Sequence, residues 1–111
     1  MTNSAFQGTI CLMRLKRTPE YIEWYESQRP KDKAQLAKRL ANIEENDHFG
    51  IVKNLGDFLS ELKWGNGRRV YYSIMEDDAG ELTLLILGGN KNGQDSDIKK
   101  ARKILKSYIE G

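Results

Sequence analysis

The stretch LSELKWGNGRRVYYSIMEDDAGELTLLIL, Leu59 to Leu87, decides the fold. Three strand-like runs, Leu59–Trp64, Arg69–Glu76 and Leu82–Leu87, are parted by Gly65-Asn66-Gly67 and by Asp77-Asp78-Ala79-Gly80. Both separators are tight-turn sequences, so the region predicts an antiparallel meander. The run LTLLIL is apolar on both faces, as a central strand covered above and below must be.

Arg68 and Arg69 stand side by side at the mouth of the middle strand. Neighbouring strand side chains point to opposite faces. With Leu62, Trp64, Val70, Tyr72 and Ile74 turned towards a helical layer, Arg69, Tyr71 and Ser73 face the other way. Hairpin pairing brings Glu61 and Lys63 to that same outer face, and Lys91, just beyond the last strand, overhangs it. The expectation is a solvated polar surface. Arginine and lysine hold phosphate there, tyrosine stacks on a base, and a carboxylate takes a proton from a ribose hydroxyl. Mixed charges on a solvated strand face also occur as ordinary surface pairs worth under about 1 kcal/mol, so periodicity locates the face without assigning it a reaction.

Upstream, Thr9 to Leu15 has strand character. Thr18-Pro19-Glu20 then supplies a capping hydroxyl and a proline at the first helical position, opening a helix that runs to about Gln28 and breaks at Arg29-Pro30. A second helix is expected from near Asp32, with Gln35 completing a capping box. Leu36, Leu40 and Ile43 form its core stripe, and it ends near Glu45 before the turn-rich 46–50 segment. Downstream, Gly88-Gly89 permits a sharp exit from the last strand. It lacks the spacing and hydroxyl of a phosphate-binding loop. Asp95 or Ser96 caps a final helix with Ile98, Ala101, Leu105 and Ile109 on its apolar side. The order β-α-α-β-β-β-α describes one small α+β domain spanning 1–111, with residues 1–8 as a flexible extension.

The chain has 111 residues, 39% of them hydrophobic, and a formal net charge of +2. That balance is too mild to imply nucleic-acid binding by itself, although basic residues concentrate along Lys99, Lys100, Arg102, Lys103 and Lys106. One cysteine, Cys11, and one histidine, His48, make neither a disulfide nor a conventional metal cluster. Cys11 reads as a small buried hydrophobe in its strand, and His48 as an exposed turn residue. No run reaches the ~18 apolar residues of a membrane span, and the N-terminus has no secretory pattern. The expected setting is the cytoplasm, with no membrane contact and no cofactor.

The stretch Lys53-Asn54-Leu55-Gly56-Asp57 through FLSELKWGNGRRVYY, followed by LLILGGNKNGQDSDIKKA, resembles the addiction-module killer proteins of the RelE/ParE toxin superfamily. It is most similar to the HigB-like branch with a GGxKxxQxxDIxxA signature, here Gly88, Gly89, Lys91, Gln94, Asp97, Ile98 and Ala101. Thr18-Pro19-Glu20-Tyr21 with Trp24 matches the usual opening of the first helix. The resemblance runs from about Thr9 onwards. It implies a RelE-like fold and a type II toxin that arrests growth, many such toxins cutting messenger RNA at the ribosome. It also implies neutralisation by a cognate helix-turn-helix antitoxin, through which the complex reaches operator DNA.

Carried over position by position, the resemblance makes Arg69 the group that stabilises the scissile phosphate. Glu61 and Lys63 become acid/base or phosphate-binding groups, and Lys91 a second basic group. Lys53, Arg68, Tyr71 and Gln94 are candidate RNA contacts. The chemistry it implies is metal-independent attack of a 2′-hydroxyl on the adjacent phosphate. The sequence departs from the better-known nucleases near its end, where a histidine or tyrosine often assists proton transfer. Here only Tyr108 is at hand, at a spacing that suits packing, and the general acid is unassigned. Two other activities fit the same fold: a ParE-like gyrase poison that cuts no RNA, and a degenerate toxin that serves as antitoxin partner and corepressor.

Overall fold

A computed structural model describes residues 13–110. Cys11 and residues 1–8, with the expectations attached to them, lie outside that range. The first strand, β1, is Arg14–Arg17. It is followed by α1 (Pro19–Glu26), α2 (Pro30–Asn46), β2 (Val52–Gly56), β3 (Leu59–Lys63), β4 (Arg68–Asp77), β5 (Gly80–Asn90) and α3 (Gln94–Glu110). The strands form one sheet in the order β1-β5-β4-β3-β2. β1 runs parallel to β5, and every other pairing is antiparallel.

The meander is longer than expected by one strand, β2. Its sequence, VKNLG, has no clean alternation because an edge strand with both faces open needs none, and four of its five residues are exposed. The β2–β3 turn places Asp57 at φ 51° and Phe58 at φ 69°. Two left-handed residues in a two-residue hairpin loop match the twist of the strands they join. Phe58 is 79% exposed at that tip.

Thr18 fixes how the first helix meets the sheet. Its Oγ1 accepts from the Tyr21 N–H at 2.9 Å and donates to the Ile86 carbonyl at 2.6 Å. Its own N–H donates to the Leu85 carbonyl at 3.0 Å. One buried residue thus caps α1 and pins it to the middle of β5. Pro30 both ends the first helix and opens the second, at the position where a missing N–H costs nothing. The expected start at Asp32 is therefore corrected: Arg29 is the N-cap, and Asp32 sits buried in the first turn facing arginines.

Two apolar clusters sandwich the sheet. Tyr21, Leu36, Leu40 and Ile43 from the helices meet Leu62, Val70, Tyr72 and Leu85 on one face. On the other, Leu59, Tyr71, Leu84, Ile86 and Leu87 meet Ala101 and Leu105 of α3. The β4–β5 register slips between Tyr71 and Tyr72, pairing Tyr71 with Leu87 and Tyr72 with Leu85. This irregularity puts consecutive Ile86 and Leu87 against α3. It corrects a central expectation, because the face of Glu61, Tyr71 and Ser73 is covered by α3 rather than solvated. Ile74 points to the α1/α2 side as expected but lies beyond its cover, 40% exposed.

Gly88 and Gly89 are interior to β5 rather than an exit from it. A Cβ on Gly88 falls 2.2 Å from the Trp24 ring of α1, and one on Gly89 falls 2.1 Å from an Asp97 carboxyl oxygen of α3. Two adjacent residues without side chains let one helix approach from each face. Among the described residues no helix is long and apolar enough to cross a membrane.

Gly88→Ala forces the indole of Trp24 off the strand. Overpacking of this kind costs about 1–3 kcal/mol, and urea denaturation of the variant is expected to show a midpoint lowered to match, with an unchanged slope.

Candidate functional site

β4 opens with two arginines, and strand alternation sends them to opposite faces. Arg68 turns towards the helices. Its guanidinium lies 3.2 Å from Asp32 Oδ1, its Nη2 donates to the Gln28 side-chain oxygen at 3.2 Å, and its side chain is 16% exposed. Arg29 Nε donates to the other Asp32 oxygen at 3.2 Å. Burial works against the Asp32 carboxylate, but the Arg29 hydrogen bond and the close positive charge of Arg68 outweigh it and hold its pKa below the ordinary value.

Arg69 turns towards α3 and is 11% exposed. Lys63 stands directly across the ladder from it and Gly89 on its other side, while Glu61 pairs with Tyr71 and Lys53 with Glu61. Arg69 Nη1 donates to the Arg68 and Trp64 carbonyls at 3.0 and 3.4 Å. Its Nε is 4.0 Å from a Glu61 oxygen, a charge contact too long for a hydrogen bond. Glu61 has no exposed surface, and both its oxygens accept from the Gln94 side-chain amide, at 2.9 and 3.0 Å. Gln94 is the first residue of α3, so the start of that helix is tied to β3 by this pair of bonds.

The sheet therefore brings Glu61, Lys63, Arg69, Tyr71 and Gln94 together, but under cover. Tyr71 is buried, and its hydroxyl has no hydrogen-bond partner among the described residues. Burial first, then the negative charges of Glu61, Asp97 and Asp95, raise its pKa well beyond the usual phenol range. The expectation that Tyr71 stacks on a base is corrected, since no face of its ring is open. Glu61 is likewise no solvated acid/base group: it is fully buried, and both its oxygens are taken by the Gln94 amide. Gln94 spends its amide on Glu61 rather than on an outside ligand.

Lys91 follows β5 in a 3-10 turn, Lys91–Gly93. Its N–H donates to the Gly67 carbonyl at 2.8 Å, and its stem lies 3.4–3.6 Å from where a Cβ on Gly67 would sit. Gly67 has φ +95°, a conformation that favours glycine, and the Lys91 stem would meet a Cβ there only in ordinary contact. Lys91 and Lys53 are exposed, Lys53 on the edge strand. His48 lies elsewhere, in a pocket of about 570 Å³ beside Lys38, Arg39 and Asn42. There Arg39 covers the Trp64 ring at 4.3 Å and donates to the Phe49 and Ile51 carbonyls. Tyr108 packs with the α3 cluster near Lys16.

The second polar pocket escaped the sequence reading. It has a volume of about 370 Å³ and lies where β4, the start of α2 and the Asn90–Asn92 turn meet, with Asp32, Asn66, Arg68, Asn90 and Lys91 in its wall. Of its named members the sequence singles out Arg68 and Lys91; Asp32, Asn66 and Asn90 come from the start of α2, the turn before β4 and the end of β5.

No family model matches this sequence. A protein of Haemophilus influenzae described as an uncharacterized protein is 31% identical over 93 residues, covering 81% of this chain and 90% of that protein. The chain belongs to the same family as that protein. Among solved structures, a free-state arginine-substituted mutant of the E. coli toxin RelE superposes with a TM-score of 0.64 at 17% identity. It covers 86% of this chain and 97% of that one. The isolated E. coli RelE toxin gives 0.59 at 17%, over 79% and 97%. The fold is thus RelE-like.

Gln94→Leu strips Glu61 of its amide donors and leaves a buried carboxylate facing only a distant Arg69. A loss of about 1–3 kcal/mol is expected, with non-additivity against Glu61→Leu in a double-mutant cycle read by urea denaturation. Asp32, held below its ordinary pKa of 3.8, stabilises the fold above that value, and the contribution disappears as pH falls through its folded value. Asp32→Asn is accordingly expected to destabilise at neutral pH and to shrink the acid-induced loss of stability below about pH 4. Denaturation midpoints at several pH values read both effects.

Proposed function

We propose that this chain is the toxin of a RelE-type toxin–antitoxin pair, in its HigB-like branch, and that it cuts messenger RNA at the ribosome. The observation that carries the reading is the placement of cations on a RelE-like sheet. Lys63 and Arg69 face each other across β3 and β4, and Lys91 is anchored to the turn that precedes β4. Signature residues also hold that end of the sheet in shape: Gly88 admits Trp24, Gly89 admits Asp97, Gln94 holds Glu61, and Ala101 is buried against β5.

In this reading a ribose 2′-hydroxyl attacks the adjacent phosphate, and negative charge grows on the phosphoryl oxygens. Arg69 is set for that charge before the substrate arrives: two backbone carbonyls fix one nitrogen and Glu61 fixes the electrostatic bias on another. Preorganised charge of this kind needs no rearrangement at the moment of reaction. Lys63 and Lys91 add positive charge from the neighbouring strand and from the turn after β5. Glu61 and Tyr71 stand outside the proton transfers because both are buried beneath α3. Lys53 extends the basic border along the edge strand. The partner is a cognate helix-turn-helix antitoxin, which carries the complex to operator DNA.

Arg69→Ala is expected to lower the cleavage rate by about a hundredfold or more, the ~3 kcal/mol typical of one lost transition-state donor. Arg69→Lys keeps a charge beside Glu61 and separates folding from chemistry. The measurement is induction in cells followed by mapping of transcript ends. Growth arrest by the wild type with transcripts intact, or cleavage by both variants at the wild-type rate, overturns the proposal.

A further inference from the structure

We infer that the 370 Å³ pocket on the helix side of β4 is a phosphate site, taking a phosphate of a nucleotide or of an RNA strand. The inference takes the RNA source from the function proposed above, whereas the preference for phosphate follows from the pocket's own chemistry.

Three cations line it, Arg29, Arg68 and Lys91, against one carboxylate, Asp32. Both Asp32 oxygens are already engaged, one by Arg29 and one by Arg68. Three of the four other side-chain acceptors, all but Asn92 Oδ1, are spent in the same way. Gln28 Oε1 takes Arg68 Nη2, Asn66 Oδ1 takes the Arg68 N–H at 3.0 Å, and Asn90 Oδ1 takes the Asn92 N–H at 2.9 Å. Two asparagines that give their oxygens to local turns keep their Nδ2 groups as donors. The pocket wall is therefore rich in donors and positive charge, with most of its side-chain acceptors internally satisfied. A ligand that completes it must bring acceptors and negative charge together, which a phosphate does and a neutral base or peptide carbonyl does not.

The geometry explains the adjacent arginines. Arg69 serves the α3 face and Arg68 the helix-hairpin face, while Lys91, seated over Gly67, lines the second site beside Arg68. The volume exceeds a single phosphate, and Trp24, packed on Gly88, lines the wall where a sugar or base would lie. An RNA strand crossing the end of β4 would thus meet one phosphate contact on each side of it.

The test is a titration of the full chain, by calorimetry and amide chemical shifts, with inorganic phosphate, a nucleoside 3′-monophosphate and a short 2′-O-methyl oligoribonucleotide. Asn66→Asp and Asn90→Asp keep the oxygen each turn needs and replace a donor by negative charge. Each is expected to weaken binding by about tenfold or more, with the wild-type shifts centred on Gly67, Arg68 and Lys91. Tightest binding of the oligonucleotide identifies an RNA strand as the phosphate source, and tightest binding of the mononucleotide a free nucleotide. Absence of binding by the wild type at millimolar probe, or wild-type affinity in the Asn66→Asp/Asn90→Asp double variant, overturns the site. The methylated probe lacks the attacking hydroxyl. A wild type that binds it yet cuts no transcript loses the nuclease reading and retains this pocket.

Discussion

A strand covered on both faces cannot hide a guanidinium cheaply, and β4 begins with two. Removing a charge from water costs several kcal/mol unless a counter-charge and hydrogen bonds are waiting. The fold supplies a carboxylate on each side: Asp32 from the first turn of α2 for Arg68, and Glu61 from the neighbouring strand for Arg69. Those two arrangements differ in kind. The Arg68 pair is close and shared with a third charge, Arg29. The Arg69 pair is loose, because Glu61 gives its hydrogen-bonding capacity to Gln94 and keeps only a longer-range pull on the arginine. The Arg68 guanidinium is held by closer contacts, and Arg69 is biased in place. Each keeps one nitrogen, Nη1 and Nε respectively, without a hydrogen-bond partner among the described residues.

The placement of helices follows from the same end of the sheet. Without side chains at Gly88 and Gly89, α1 and α3 both reach the backbone of β5, each through one residue, Trp24 or Asp97. Asp97 comes to rest in a partly buried position that raises its pKa, with Lys100 pulling the other way. Close approach brings Gln94 within reach of Glu61 on the next strand but one. Gly88, Gly89, Gln94 and Asp97 together form, in the folded chain, a packing device that sets the distance between α3 and the sheet.

Much of this was legible beforehand. The meander, the Thr18-Pro19 helix start, the α2 stripe and the pairing of Glu61 and Lys63 with Tyr71 and Arg69 follow from local pattern, and the structure has them. What escaped has identifiable causes. β2 was passed over because an exposed edge strand has no burial to impose alternation. The cover over Glu61 and Tyr71 was missed although LTLLIL, apolar on both faces, already required something on the far side. Strand alternation says which residues share a face, and it is silent on whether a helix that begins thirty-three residues after Glu61 lies over it. Aspartate near a helix start usually caps it, which is what the local pattern around Asp32 suggests. Its role as an arginine partner depends on Arg68, thirty-six positions later. The asparagines of the second pocket carry no periodic signal at all.

Thr18 takes its partners from Leu85 and Ile86, and β1 adds to the sheet only along β5. Synthesis proceeds from the other end. While a ribosome is still extending the chain, the first strand and first helix have nothing to dock on, and contacts this distant in sequence form late and slowly. Both arginine clusters also wait for late residues, Gln94 for one and Asn90 with Lys91 for the other. A nascent or prematurely terminated chain that stops short of Asn90 thus carries neither assembled cluster.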